Sequence, residues 1–172
     1  MENQATKTEY FEYFIDQIYS LNDNVVPNDL SLVKTQKLLF FLTTAVEDED
    51  GGLPLLNIFN NFHALPYGHV ESDVYTAMKN NNLSFYQINR FGAKKLTSEP
   101  LVLADNVTEL IDTGVKELMS YNLISRNASY LVNLSHCYES WIKNYRLALS
   151  QKKSSQLIPE SDIMADQKYF AL

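Results

Sequence analysis

Three histidines, His63, His69 and His136, and one cysteine, Cys137, are the side chains whose chemistry could hold a transition metal or drive a nucleophilic reaction. Structural zinc sites pair Cys or His ligands a few residues apart, and here the cysteine has no such partner, so no metal or cofactor is expected. His136 and Cys137 are adjacent, and adjacent helical residues point about 100° apart. A thiolate would therefore need its base from another element, from His63 or His69. The more ordinary fate of a lone cysteine is a small buried thiol. The carboxylates Asp16, Glu71 and Asp73 could form acid-base pairs, but single carboxylates on amphipathic helices usually face water. No Ser-centred nucleophile elbow or zinc-protease helix is present, and Gly51-Gly52 leads into Leu53-Pro54 rather than a phosphate-loop Lys. The expectation is a chain that is not an enzyme.

The elements that position these residues are set first by bulk composition. A chain of 172 residues, 45% hydrophobic and 20% charged, suits one folded domain spanning 1–172 with an aromatic-rich core. Fourteen basic against 21 acidic residues give a net charge of -7. Such a field repels phosphate backbones, which argues against autonomous nucleic-acid binding. The single cysteine excludes an intrachain disulfide, Met1-Glu2-Asn3-Gln4 lacks a signal-peptide pattern, and no apolar run is long enough to span a bilayer. A cytoplasmic protein without membrane contact is expected.

Hydrophobic spacing predicts a mainly α fold, a compact bundle of six to seven helices. Thr6-Lys7-Thr8-Glu9 has capping-box spacing and opens a helix from about Thr8 to Leu21, which Asn22-Asp23-Asn24 breaks. Pro27, Asn28 and Asp29 form a turn before a central helix from about Ser31 to Val46. The acidic segment 47–52 fails as a calcium loop, because aligning Gly51 with its glycine puts Val46 at the first ligand position. It reads as a solvated loop. Leu53 to Phe62 reads as helix or partly extended, and Phe62 to Tyr75 as an aromatic corner feeding a short helix with Val70, Val74 and Met78 on one face. Residues 83–98 suit an extended arm or hairpin. Asn106-Val107-Thr108-Glu109 resembles a second capping box for a helix to about Tyr121, and Asn127 opens a helix ending near Cys137. Another helix runs to about Gln151, and Pro159 starts a last one from about Glu160 to Phe170.

Four segments taken together resemble a known family. Lys34-Thr35-Gln36-Lys37-Leu38-Leu39-Phe40-Phe41 resembles its Leu-x-Lys-Leu-Leu-Tyr-Phe helix, and Leu65-Pro66-Tyr67-Gly68-His69-Val70 with Val74-Tyr75 resembles its Trp-x-Tyr-Gly-Pro-Val corner and following Val-Tyr. Asn127 to His136 with Trp141 resembles its Leu-x-x-Leu-Thr-His segment closed by Trp, and Ile158 to Ile163 with Tyr169-Phe170 resembles its C-terminal helix. The family is the Panacea domain, or SocA-like antitoxins, and the likeness spans about 32–170. His69 stands where the family has Pro, and Leu65 where it has Trp.

The resemblance implies a helical module that neutralises a cognate protein toxin by direct binding, often encoded beside that toxin on a prophage. The partner would be basic, complementing the charge of -7. Alternatives are a proteolytic adapter, or a prophage-associated interaction module without toxin neutralisation; a cryptic metal- or thiol-dependent enzyme is a third. Tyr67, His69, Glu71 and Tyr75 are the candidate partner-binding residues. Lys37, Leu38, Gly68, His136 and Trp141 are family-motif positions with a structural reading, Gly68 for its backbone freedom and Trp141 as core filler. Oligomeric state is left open.

Overall fold

The computed structural model describes residues 5–21 and 29–172. The expected breaks at Asn22-Asp23-Asn24 and at Pro27 and Asn28, and the polar start Met1 to Gln4, lie outside the described residues.

Helix α1, Lys7–Leu21, begins at the expected capping box. The Glu9 N–H donates to Thr6 Oγ1 at 3.3 Å and the Thr6 N–H to a Glu9 carboxylate oxygen at 2.7 Å. Helix α2, Leu32–Ala45, is capped by Ser31 and is buried at every residue from Lys34 to Ala45, so it is the central element its all-round apolarity predicts. Segment 47–52 is the expected solvated turn, closed by Asp48, which accepts from the Asp50 and Gly52 N–H groups.

The chain from Leu53 to Glu71 differs most from the sequence expectation. A single 3-10 turn at Pro54–Asn57 leads to strands β1, Phe62–Leu65, and β2, Gly68–Glu71, which pair antiparallel about the two-residue loop Pro66-Tyr67. The corner is therefore a hairpin, and only at Ser72 does the short helix α3, Ser72–Lys79, begin. All four β2 residues are buried, so no alternation marks the strand in sequence. Strands β3, Tyr86–Ile88, and β4, Ala93–Lys95, form the hairpin arm expected within 83–98.

Helix α4, Asn106–Ser120, starts one residue earlier in its capping than expected, because Asp105 is the N-cap and Thr108 its reciprocal partner. Asp105 also accepts from the Tyr10 hydroxyl at 2.6 Å, and Asp112 from Tyr13 at 2.9 Å, so two tyrosines of α1 clamp α4. Burial, then the facing carboxylate, pushes both phenols up to about 12. Helix α5, Ala128–Ser135, is capped by Asn127 and ends before His136; helix α6 spans Glu139–Ser150. Residues Gln156–Leu157 form β5, an unanticipated third strand beside β1, giving sheet order β2-β1-β5. The final helix is shorter than expected: α7 covers Glu160–Met164, and Tyr169–Ala171 is a 3-10 turn. Among the described residues, seven α-helices around one aromatic core make the chain mainly α, as its sequence predicts. Among the described residues no helix is long and apolar enough to cross a membrane.

Two carboxylates on α1 do not face water. Glu12 is 1% exposed and accepts from the N–H groups of Ser84, Phe85 and Tyr86 at 3.1, 2.6 and 3.0 Å; Asp16 accepts from Tyr86 Oη and from Lys95 Nζ. One turn apart, they form a polar stripe that seats the arm. Burial raises the Glu12 carboxyl against the lowering effect of the three N–H donors. Replacing Glu12 with Ala orphans those donors, so Glu12→Ala should lower stability by about 2–4 kcal/mol, measured by urea unfolding, with the largest gain in amide exchange at residues 84–86.

Candidate functional site

Four of the motif residues converge on the backbone of the β1-β2 loop. The Lys37 amine, wholly buried on α2, donates to the His69 carbonyl. Trp141 Nε1 donates to the Leu65 carbonyl at 2.8 Å, and His136 Nε2 to the Pro66 carbonyl at 3.1 Å, which fixes the His136 tautomer. The indole stacks between His136 and Tyr145, with centroids 3.9 and 5.0 Å away. Burial lowers the His136 pKa, opposed by the Pro66 bond and supported by Lys37. Gly68 has φ +97, and an added Cβ would lie 2.4 Å from Ser135 Oγ and 3.1 Å from Lys37 Nζ. Only glycine satisfies both the left-handed backbone and the lack of room. Leu38 is fully buried in the core.

His69 and Glu71 correct the sequence expectation, since both are 0% exposed and face inward rather than toward a partner. The His69 ring stacks on Phe40 with centroids 3.6 Å apart. Its backbone N–H donates to Ser135 Oγ at 3.1 Å, and its two ring nitrogens sit 2.8 Å from Ser135 Oγ and Ser140 Oγ. A hydroxyl can both donate and accept, so the neutral ring is satisfied at both nitrogens in either tautomer, one nitrogen donating to its serine and the other accepting from its serine. The Ser140 N–H in turn donates to Asp166 at 2.9 Å. A proline at 69 could make none of these bonds. Burial, reinforced by the Lys37 charge, drives the His69 pKa well below its ordinary value and keeps the ring neutral. Glu71 caps α3 through the Val74 N–H and pairs with Lys7 Nζ at 2.6 Å.

The chemistry-bearing residues are not assembled into one centre. Among the described residues no cluster of three or more His, Cys, Asp or Glu could hold a metal. His63 pairs with Asn61 on the outer part of β1, Asp73 is exposed and binds Lys7, and Cys137 is exposed instead of buried, its thiol donating to the Asn133 carbonyl at 3.5 Å.

What remains accessible is the tip. Tyr67 is 67% exposed, held out by a loop whose flanking carbonyls are all bonded, and Tyr75 on α3 is half-buried. On one side Tyr67 and Tyr75 flank a cavity of about 80 Å³ floored by Gln36 and Lys37. On the other, Tyr67 borders a broader groove of about 410 Å³ between Val33, Arg90 and Ser129. Val33 adds exposed apolar surface to it. Sequence reasoning found Tyr67 and Tyr75 but missed Val33, Arg90 and Gln36; Gln36, a polar residue within an all-round apolar helix, was the available signal.

The Lys37 amine has no carboxylate against it, and burial lowers its pKa to about 7. Unfolded, the amine takes up its proton near 10.5; folded, only near 7, so between these values the unfolded state binds more protons and stability rises with pH. One such group contributes at most about 1.4 kcal/mol per pH unit. From about pH 7.5 to about 8.5, below the onset of tyrosine ionisation in the unfolded chain, urea unfolding should show a rise of roughly 1 kcal/mol per unit that is absent in Lys37→Met. Separately, Gly68→Ala should cost at least about 2 kcal/mol through backbone strain and the Ser135 collision, read as a lowered midpoint.

Comparison with protein-family models, with curated proteins and with solved structures returns no significant match.

Proposed function

We propose that this chain is a Panacea-type antitoxin that binds and neutralises a cognate protein toxin, and that it does so without catalysis. The observation that carries this reading is the convergence of Lys37, Gly68, His136 and Trp141, from three separate motif segments, on one hairpin loop. Residues far apart in sequence that all fix the same exposed turn make sense if the turn must be presented in one geometry. The presented side chain is Tyr67, a large amphipathic ring with few rotatable bonds, the type enriched at interface hot spots. Val33, partly exposed, lines both cavities beside it.

The titratable groups support binding over chemistry. His69, Ser135 and Ser140 are engaged with one another in the interior, and the exposed Cys137 has no histidine or carboxylate among its described hydrogen-bond partners. The net charge of -7 would speed encounter with a basic toxin through the long-range field, independently of what the short-range contacts at Tyr67 recognise.

Co-expression with the product of the adjacent gene tests the proposal. Expected is growth arrest by that product alone, rescue by this chain, and a stable complex on size-exclusion chromatography. Tyr67→Asp should abolish rescue, weakening the complex by at least about 2 kcal/mol, roughly thirtyfold, while leaving the thermal midpoint within a few degrees because the residue is exposed. If no neighbouring product is toxic, or if partner levels fall in a protease-dependent manner instead of a complex accumulating, the antitoxin reading fails.

A further inference from the structure

An unfinished hydrogen bond lies in the wall behind the cavity between Tyr67 and Tyr75. Gln36 is 1% exposed; its Oε1 accepts from the Glu71 N–H at 2.8 Å, which fixes the orientation of the amide and leaves Nε2 as a buried donor without a partner. A buried donor of this kind is costly, and native structures rarely retain one without a reason. Gln36 lies in the wall of the cavity, beside Lys37, with Leu32, Val33 and Tyr75 forming the apolar remainder. The volume of about 80 Å³ exceeds what one water occupies.

The surrounding electrostatics point one way. In a chain with 21 acidic residues, no carboxylate among the described residues lines this cavity or the adjoining groove; the described charged residues lining them are Lys37 and Arg90. The N-terminal ends of two helices, α2 at Ser31 and α5 at Ala128 and Ser129, border the same groove, each presenting its positive dipole end. Both walls are apolar at Val33 and Tyr67, which the two cavities share. Donors, a buried amine and positive helix ends within apolar walls complement an acceptor oxygen carried on an apolar stem.

We infer that the Tyr67 groove seats a short acidic peptide segment of the partner, with one carboxylate entering between Tyr67 and Tyr75 to accept from Gln36 Nε2. This deepens the binding reading by naming the chemistry of the anchor. It agrees with a basic partner, because one buried carboxylate anchor is independent of the partner's total charge. The remainder of the segment lies along the groove past Val33 toward Arg90, where a second acidic residue would meet the guanidinium.

Selection of random heptapeptides displayed on phage against the immobilised full chain tests this without any toxin. Expected is enrichment of sequences carrying Asp or Glu next to an apolar residue. Gln36→Glu keeps the acceptor for the Glu71 N–H but replaces the free donor with an acceptor, and should reduce that enrichment at least tenfold. Val33→Asp, at an exposed position that cannot disturb the core, should do the same. Failure to enrich acidic peptides, or enrichment undiminished in both variants, overturns the inference. Loss of toxin rescue with acidic-peptide selection intact would instead sink the antitoxin reading and leave the groove assignment standing.

Discussion

The bond from the Lys37 amine to the His69 carbonyl is the constraint on which the arrangement around the tip depends. A lysine buried on a central helix without a carboxylate is costly, and a methionine would fill the same space at less expense in desolvation. Its retention ties the middle of α2 to the second strand of the hairpin at one register. Register matters here because strand side chains alternate: a slip of one residue would exchange the inward His69 and Glu71 for Gly68 and Val70. The amine thus sets which residues face Phe40 and the serines. Through them it sets where the loop emerges.

Around that bond the other contacts are arranged in order of reach. Gly68 allows the backbone to turn against Ser135, Trp141 and His136 hold the two carbonyls on the far side, and the His69 ring carries the connection through Ser140 toward the C-terminal segment at Asp166. The C-terminal segment also closes over the core, since Tyr169 packs on Tyr138 and Phe170 on Phe41. On α1, Glu12 and Asp16 do for the arm what Lys37 does for the hairpin, with the signs reversed. In both places a buried ionisable group on a helix collects backbone or side-chain partners from a short two-stranded element too small to stand alone.

Helices were legible because caps and apolar periodicity are local: Thr6, Ser31 and Asn127 each precede a run whose spacing declares itself. The hairpin was not. Its strands are four residues long, β2 is buried throughout, and β5 has two residues, below the length at which alternation carries information. The motif residues are legible as positions but not as directions: the fold leaves Tyr67 exposed and Tyr75 half-buried and turns His69 and Glu71 inward. Glu12 shows the same limit. Its three donors lie more than seventy residues away, and nothing near it in sequence distinguishes a buried acceptor from a solvated one.

The bonded carbonyls of the hairpin loop have a kinetic consequence. Tyr67 sits on backbone that is already ordered in the free chain, so docking restricts little more than the two torsions of one ring. Binding to such a surface loses less conformational entropy than closure of a floppy loop, and the saving appears chiefly as slow dissociation. Under the proposed binding function, such a surface would hold a partner by residence time, with no change of its own shape needed to begin the encounter.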